Sequence, residues 1–145
     1  MSWRALEQAD PELAREGAER FKTGVAYLAT IRKDGSPRVH PVTPIVGQGR
    51  LFLFMEPTSP KGHDLRRDGR YAMHSAVGGP EGEGGEFLIS GHAWPIEDPA
   101  TRELATELSS YEPEDQYVLF ELGIESVLLI TYVDDRLVRR RWKQA

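Results

Sequence analysis

Cysteine is absent from the 145-residue chain, which excludes disulfides, thiolate zinc sites and cysteine nucleophiles together. Any redox role must then use a bound cofactor. Long apolar runs are lacking too: none approaches the roughly 20 residues that span a bilayer, so no membrane partner is expected. The opening stretch MSWRALEQADPEL meets acidic residues before an apolar h-region could form. It does not read as a secretory signal, and a cytoplasmic location is expected. There is no basic excess either, the formal net charge being −5. Duplex binding depends mainly on neutralising phosphates, so no nucleic-acid partner is expected; the run Arg139-Arg140-Arg141 is the local exception. What remains is a chain with 39% hydrophobic and 28% charged residues, enough for one modest core under an ordinary hydrated surface. A single domain over residues 1–145 is expected.

Turn chemistry divides the chain. Asp10 can cap and Pro11 can open a helix over about residues 11–22, with Leu13, Ala14, Ala18 and Phe21 on one side. Val25–Ile31 reads as a strand, Asp34-Gly35 as a hairpin turn and Arg38–Val46 as the returning strand. Pro37, Pro41 and Pro44 cannot donate backbone hydrogen bonds, so that strand should lie at an edge or be interrupted. Leu51–Met55 is a continuous apolar strand, and Lys61–Asp68 a short helix with Pro60 in its first turn and Ser59 as its cap. Tyr71–Val77 and Glu86–Ile96 read as strands on either side of the loop GGPEGEGG, with Gly91 marking a bulge or a close backbone approach. A helix from Asp98-Pro99 to about Ser110 and strands at Val127–Val133 and Leu137–Trp142 follow, whereas Tyr117–Ile124 fits either strand or helix. Six or seven short strands with two or three peripheral helices make the fold mainly β, a closed antiparallel barrel.

The stretch Met55-Glu56-Pro57-Thr58-Ser59-Pro60-Lys61 sets hydroxyls and a cation beside a helix start. Such a terminus offers unpaired backbone N–H groups and the positive end of the helix dipole, both favourable to phosphate. Lys61 adds a point charge and Ser59 or Thr58 a hydroxyl donor. The same residues would also make an N-capped surface helix with a solvated lysine. In Arg38-Val39-His40-Pro41-Val42-Thr43-Pro44 the prolines leave backbone groups free. A flavin ring needs alternating donors and acceptors along its pyrimidine edge and apolar contact on its faces, and such a strand supplies both. A barrel edge without a ligand would read the same way.

Taken in order, LATIRKDGSPRVHPVTPI, GRLFLFMEPTSPKGHDLRRDGRYAMH and EFLISGHAWPIEDP resemble the pyridoxamine 5'-phosphate oxidase-like family from Val25 to about Pro99. The resemblance implies a six- to seven-stranded antiparallel split barrel that binds FMN at the subunit interface of a homodimer. It implies that His40, Pro41, Val42 and Thr43 run beside the ribityl chain and isoalloxazine ring, with Phe54 and Met55 next to them. Ser59 and Lys61 match the phosphate-binding Ser-Arg-Lys motif of the true oxidases, whose arginine is Pro60 here. His40 stands where the oxidases carry a cofactor-binding arginine, which leaves the phosphate to Lys61, Arg38 and His63. Glu86 matches a glutamine that reaches the flavin from the partner subunit, although an ionised carboxylate cannot donate there. The substrate-reading Arg-Leu-Ala-Pro end of the true oxidases is missing, so oxidation of pyridoxamine phosphate itself is not expected. Trp142 and the arginines before it would instead close over the partner's flavin or form a solvated tail.

The four histidines, His40, His63, His74 and His92, show no metal-ligand spacing, so no metal is expected; His74 and His92 read as strand residues with a hydrogen-bond partner. Ser75 and Ser90 have no hydrolase elbow around them, and no residue stands out as a general acid or base. The expected function is an FMN-dependent oxidoreductase moving a hydride to or from an unknown small substrate. One alternative on the same fold is an F420-dependent reductase, whose polyglutamate tail would suit Arg66, Arg67 and Arg139. The other is a non-catalytic flavin-binding or flavin-sensing protein.

Overall fold

Short β-rich runs cut by proline, glycine and Asx turns fold into nine strands and four helices, α1 (Trp3–Ala9), α2 (Pro11–Lys22), β1 (Ala26–Ile31), β2 (Pro37–Val42), β3 (Ile45–Gly47), β4 (Arg50–Met55), α3 (Pro60–Arg67), β5 (Arg70–Ser75), β6 (Glu86–Ile96), α4 (Pro99–Leu108), β7 (Val118–Leu122), β8 (Ser126–Val133) and β9 (Arg136–Lys143). The structure, a computed structural model, describes residues 2–80 and 83–145. Glu81 and Gly82, within the GGPEGEGG loop, lie outside the described residues, as does Met1.

All pairings are antiparallel, in the order β2-β1-β5-β6-β7-β4-β3, with β8 joined to β6 and β9 to β8. The long strand β6 curls the sheet by serving two ladders: Glu86–Ser90 pair with β8, and Ala93–Ile96 pair with β7. Gly91 lies at the change of partner, where a Cβ would collide with the Gly123 carbonyl. The close approach read from that glycine is what the fold requires. The result is the mainly β antiparallel split barrel expected, with three corrections. A further helix, α1, precedes the one expected over residues 11–22, which makes four helices among the described residues rather than two or three. Among the described residues there are nine strands rather than six or seven, because Pro44 divides the expected Arg38–Val46 strand into β2 and β3 and because residues 118–122 settle as strand. The ladder is also open rather than closed: among the described residues β2, β3 and β9 each have one partner. As the prolines require, β2 is an edge strand.

The apolar run Leu51–Met55 is buried throughout because β4 is covered on both faces. Leu51, Leu53 and Met55 point into the main core, whereas Phe52 and Phe54 belong to a second cluster with Ala105 of α4 and Leu119 of β7. The main core is capped by α1 and α2, where Trp3, Phe21 and Phe87 form an edge-packed aromatic group with ring centroids 5.2–6.3 Å apart. Helix α2 begins as read, with Asp10 accepting from the Leu13 amide at 3.2 Å, and its carboxylate also receives Arg140 from β9 at 2.7 Å.

Candidate functional site

The end of β4 and the first turn of α3 form the centre of the candidate site. Gly62 lets them approach closely: a Cβ there would stand 3.0 Å from the Met55 sulfur, a contact the methionine would have to relieve by a few tenths of an ångström. Ser59 occupies the N-cap position but makes no side-chain cap hydrogen bond, contrary to the expected cap. Its hydroxyl instead accepts from Lys61 Nζ at 2.8 Å. The reason is competition, since an ammonium is a stronger donor than a backbone amide. The Ser59 hydroxyl keeps its own hydrogen to donate elsewhere. The first turn of α3 holds no acidic residue, and burial pushes the Lys61 ammonium below its ordinary pKa. A bound anion would reverse that shift.

On one side of this turn lies a basic cavity of about 450 Å³. Arg32 and Lys33 from the β1–β2 hairpin, Arg38 from β2, and Thr58, His63 and Arg67 around α3 contribute to its lining. Its anchor is Asp64, 3% exposed. Its carboxylate accepts from Thr30 Oγ1 at 2.8 Å, Arg38 Nε at 2.8 Å and Arg67 Nη2 at 2.9 Å. Burial by itself would raise this carboxyl, but hydrogen bonds from Arg38, Thr30 and Arg67 outweigh it and hold the pKa below the ordinary value. Arg67 also donates to the Ile31 carbonyl at 2.8 Å, and His63 Nε2 lies 3.1 Å from the Pro57 carbonyl. His40 on β2 is pushed below its usual pKa by burial and then by the charges of Lys61 and Arg38. At neutral pH it is an uncharged imidazole and does not replace a cationic clamp.

On the other side of the turn is a groove of about 330 Å³, with Pro41 and Val42 from β2, Thr43 just after it, Phe54 and Met55 from β4 and Glu56 at the end of that strand in its walls. Lys61 reaches it from α3, and Tyr111 and Tyr117 reach it from the segment after α4. Ten of the twelve residues singled out from sequence thus gather around one helix start, Ser59 through its bond to Lys61 and His40 through its coupling to Lys61 and Arg38. Glu86 and Trp142 lie elsewhere in the chain. Glu86 Oε1 is 3.6 Å from His74 Nε2, and Trp142 is half-buried against the main core in register with Val127. His92 Nδ1 has Glu125 Oε2 at 2.5 Å, and His74 Nδ1 has the Ser75 carbonyl at 2.5 Å. Both are hydrogen-bonded strand residues, as read.

Sequence reasoning passed over Asp64, Tyr111 and Tyr117. For the tyrosines a signal existed: two aromatic residues six apart in the polar run SSYEPEDQY, where solvation alone gives no reason for them. Asp64 gave little, because only Arg67 is a local partner, whereas Arg38 and Thr30, which complete its burial, are 26 and 34 residues distant along the chain.

A profile of the pyridoxamine 5'-phosphate oxidase family matches residues 13–130. No curated protein matches the chain significantly. Among solved structures, a heme binding protein from Mycobacterium smegmatis is 19% identical with a TM-score of 0.65, covering 86% of this chain and 57% of that one. This chain therefore spans little more than half the length of that neighbour. A NimC/NimA family protein from Clostridium acetobutylicum is 17% identical with a TM-score of 0.67, over 88% of this chain and 92% of the other. A Lactobacillus delbrueckii protein provisionally designated a pyridoxamine 5'-phosphate oxidase is 21% identical with a TM-score of 0.62, over 77% and 89%. These likenesses establish a common fold. Matched by the family profile over residues 13–130, the chain belongs to the pyridoxamine 5'-phosphate oxidase family.

Proposed function

We propose that this chain is an FMN-binding oxidoreductase in which the groove receives the flavin ring and the start of α3, with the basic cavity behind it, receives the phosphate. The observation that carries this reading is the helix start itself. Lys61, partly buried and bonded to the Ser59 hydroxyl, stands at a positive dipole end with no acid in the first turn. That donor set fits a phosphate monoester. Asp64 fixes the direction of Arg38 and Arg67 without occupying Lys61, so cationic donors are preorganised rather than gathered on binding.

A bound flavin supplies hydride acceptor and donor chemistry that no side chain here could. The chain's own task is to hold the ring against Phe54 and Met55, to present backbone groups of Pro41–Thr43 along its edge, and to keep water from one face. Two copies would place the site at their interface. The support is the uncovered strand face that carries Tyr27, 47% exposed, and Val39, 66% exposed, and the position of Glu86 and Trp142 away from the groove of their own chain.

The test is a fluorescence and absorbance titration of purified protein with FMN, with F420 and with hemin, alongside sizing by light scattering. Expected are a stoichiometric FMN complex and a dimer. Binding of F420 without FMN would replace the cofactor assignment. A Soret shift with hemin and no response to FMN would move the chain toward the ligand class named for its M. smegmatis neighbour. Bound FMN that no nicotinamide or deazaflavin donor reduces would leave a flavin-binding protein without turnover.

A further inference from the structure

Residues 109–117 connect α4 to β7 and carry Tyr111 and Tyr117 into the groove. The segment is polar apart from these rings and Pro113, and Tyr111 is 37% exposed. One side chain ties it down. Arg102 of α4 donates through Nη1 to the Tyr117 carbonyl at 2.6 Å and through Nη2 to the Glu114 and Asp115 carbonyls, each at 3.2 Å. The same guanidinium lies 5.2 Å from the centroid of Phe54, which lines the groove. A single planar cation thus links the tyrosine-bearing segment to the groove's floor. Tyr117 packs on the small core formed by Phe54, Ala105 and Leu119, so the segment extends that core. The Tyr111 phenol is shifted up by burial and then by Tyr117, and the Tyr117 phenol is shifted up by Glu114, burial and Glu56. Both rings are neutral at physiological pH.

We propose that Tyr111 and Tyr117 form the ring-recognition wall of this groove, selecting a planar, electron-poor heteroaromatic ring by stacking, and that Arg102 is the positioning residue that sets the wall. The proposal rests on the flavin reading of the groove and adds the residues that read the ring rather than the phosphate. Stacking acts on the ring and not on a remote phosphate, so loss of the wall should affect a ligand with or without a phosphate alike.

Titration of riboflavin and FMN into the full chain and its variants separates the possibilities. Tyr111→Leu and Tyr117→Leu are expected to weaken both ligands by the same factor, roughly 5-fold for a ring pair. Bound flavin should become more fluorescent in each, because an electron-rich phenol on the ring quenches its excited state. Tyr111→Phe and Tyr117→Phe, which keep the ring and the fold, should retain affinity and still raise the fluorescence. Arg102→Met should show the leucine signature although it removes no groove residue, with partial recovery in Arg102→Lys. Riboflavin affinity and fluorescence unchanged in all four tyrosine variants would overturn the wall while leaving the flavin reading intact. Failure of the unaltered chain to bind either flavin would overturn that reading itself, and the wall with it.

Discussion

The two cavities beside the first turn of α3 are held by different forces. In the basic cavity a buried carboxylate gathers Thr30, Arg38 and Arg67, and the geometry depends on charge taken out of water and fully hydrogen-bonded. In the groove most of the wall is proline, valine, phenylalanine, methionine and tyrosine, with Glu56 and Lys61 at one end, and the geometry depends on packing against a small secondary core. The contrast teaches that one ligand can be held by two nearly independent devices, an electrostatic one for its anionic tail and a shape-based one for its ring. Variants on the two sides should therefore separate.

The strongest way to break the comparison is at Asp64. Asp64→Asn removes the charge that Arg38 and Arg67 share and one of its two accepting oxygens, and should cost about 2 to 3 kcal/mol of stability, measured by urea unfolding, less than a fully buried pair because both arginines stay partly exposed. Affinity should fall for FMN and hold for riboflavin; an equal fall for both would show that the two sides are one unit. The same carboxylate sets an acid limit. Its pKa is lowered in the folded chain, so its stabilisation is complete above the unfolded value of about 4 and is lost as the pH falls through the folded value. A urea titration series from neutral pH downward should show this loss in the unaltered chain and not in Asp64→Asn.

Next in size is Lys61→Ala, expected to weaken FMN binding by about 1.5 to 3 kcal/mol, the range for a hydrogen bond to a charged group. Riboflavin binding, measured in parallel, should stay within about twofold because a shift that small is under 0.5 kcal/mol. Thr30→Val removes one of the three donors to Asp64 and should cost about 1.5 kcal/mol in unfolding free energy, with a smaller loss of FMN affinity than Lys61→Ala. The smallest effect is expected at Asp10, remote from both cavities. Asp10→Ala removes the α2 cap and the Arg140 partner and should cost about 1 kcal/mol in the same unfolding assay, with flavin affinity unchanged.

Local chemistry determined much of this protein in advance. Asp10-Pro11 and Asp98-Pro99 mark two of the helix starts found, and Asp98 accepts from the Thr101 amide at 3.0 Å. The prolines of β2 announce an edge strand, and Glu86–Ile96 has the same bounds in the structure as in the reading. The gathering of Arg38, His40–Thr43, Phe54, Met55 and Ser59–Lys61 was expected from the family resemblance and not from strand adjacency, because β2 and β4 stand five places apart in the strand order and only the curl of the sheet brings them together. What the tertiary structure alone decided needs contacts across long stretches of chain. That Ser59 receives the partly buried Lys61 ammonium rather than capping its helix became visible only in the folded chain. The burial of Asp64 among three donors, the delivery of Tyr111 and Tyr117 by Arg102, and the change of partners along β6 at Gly91 all depend on the curl of the sheet. Residue pattern sets which side chains share a strand face, but only the packed sheet sets which of those faces meet.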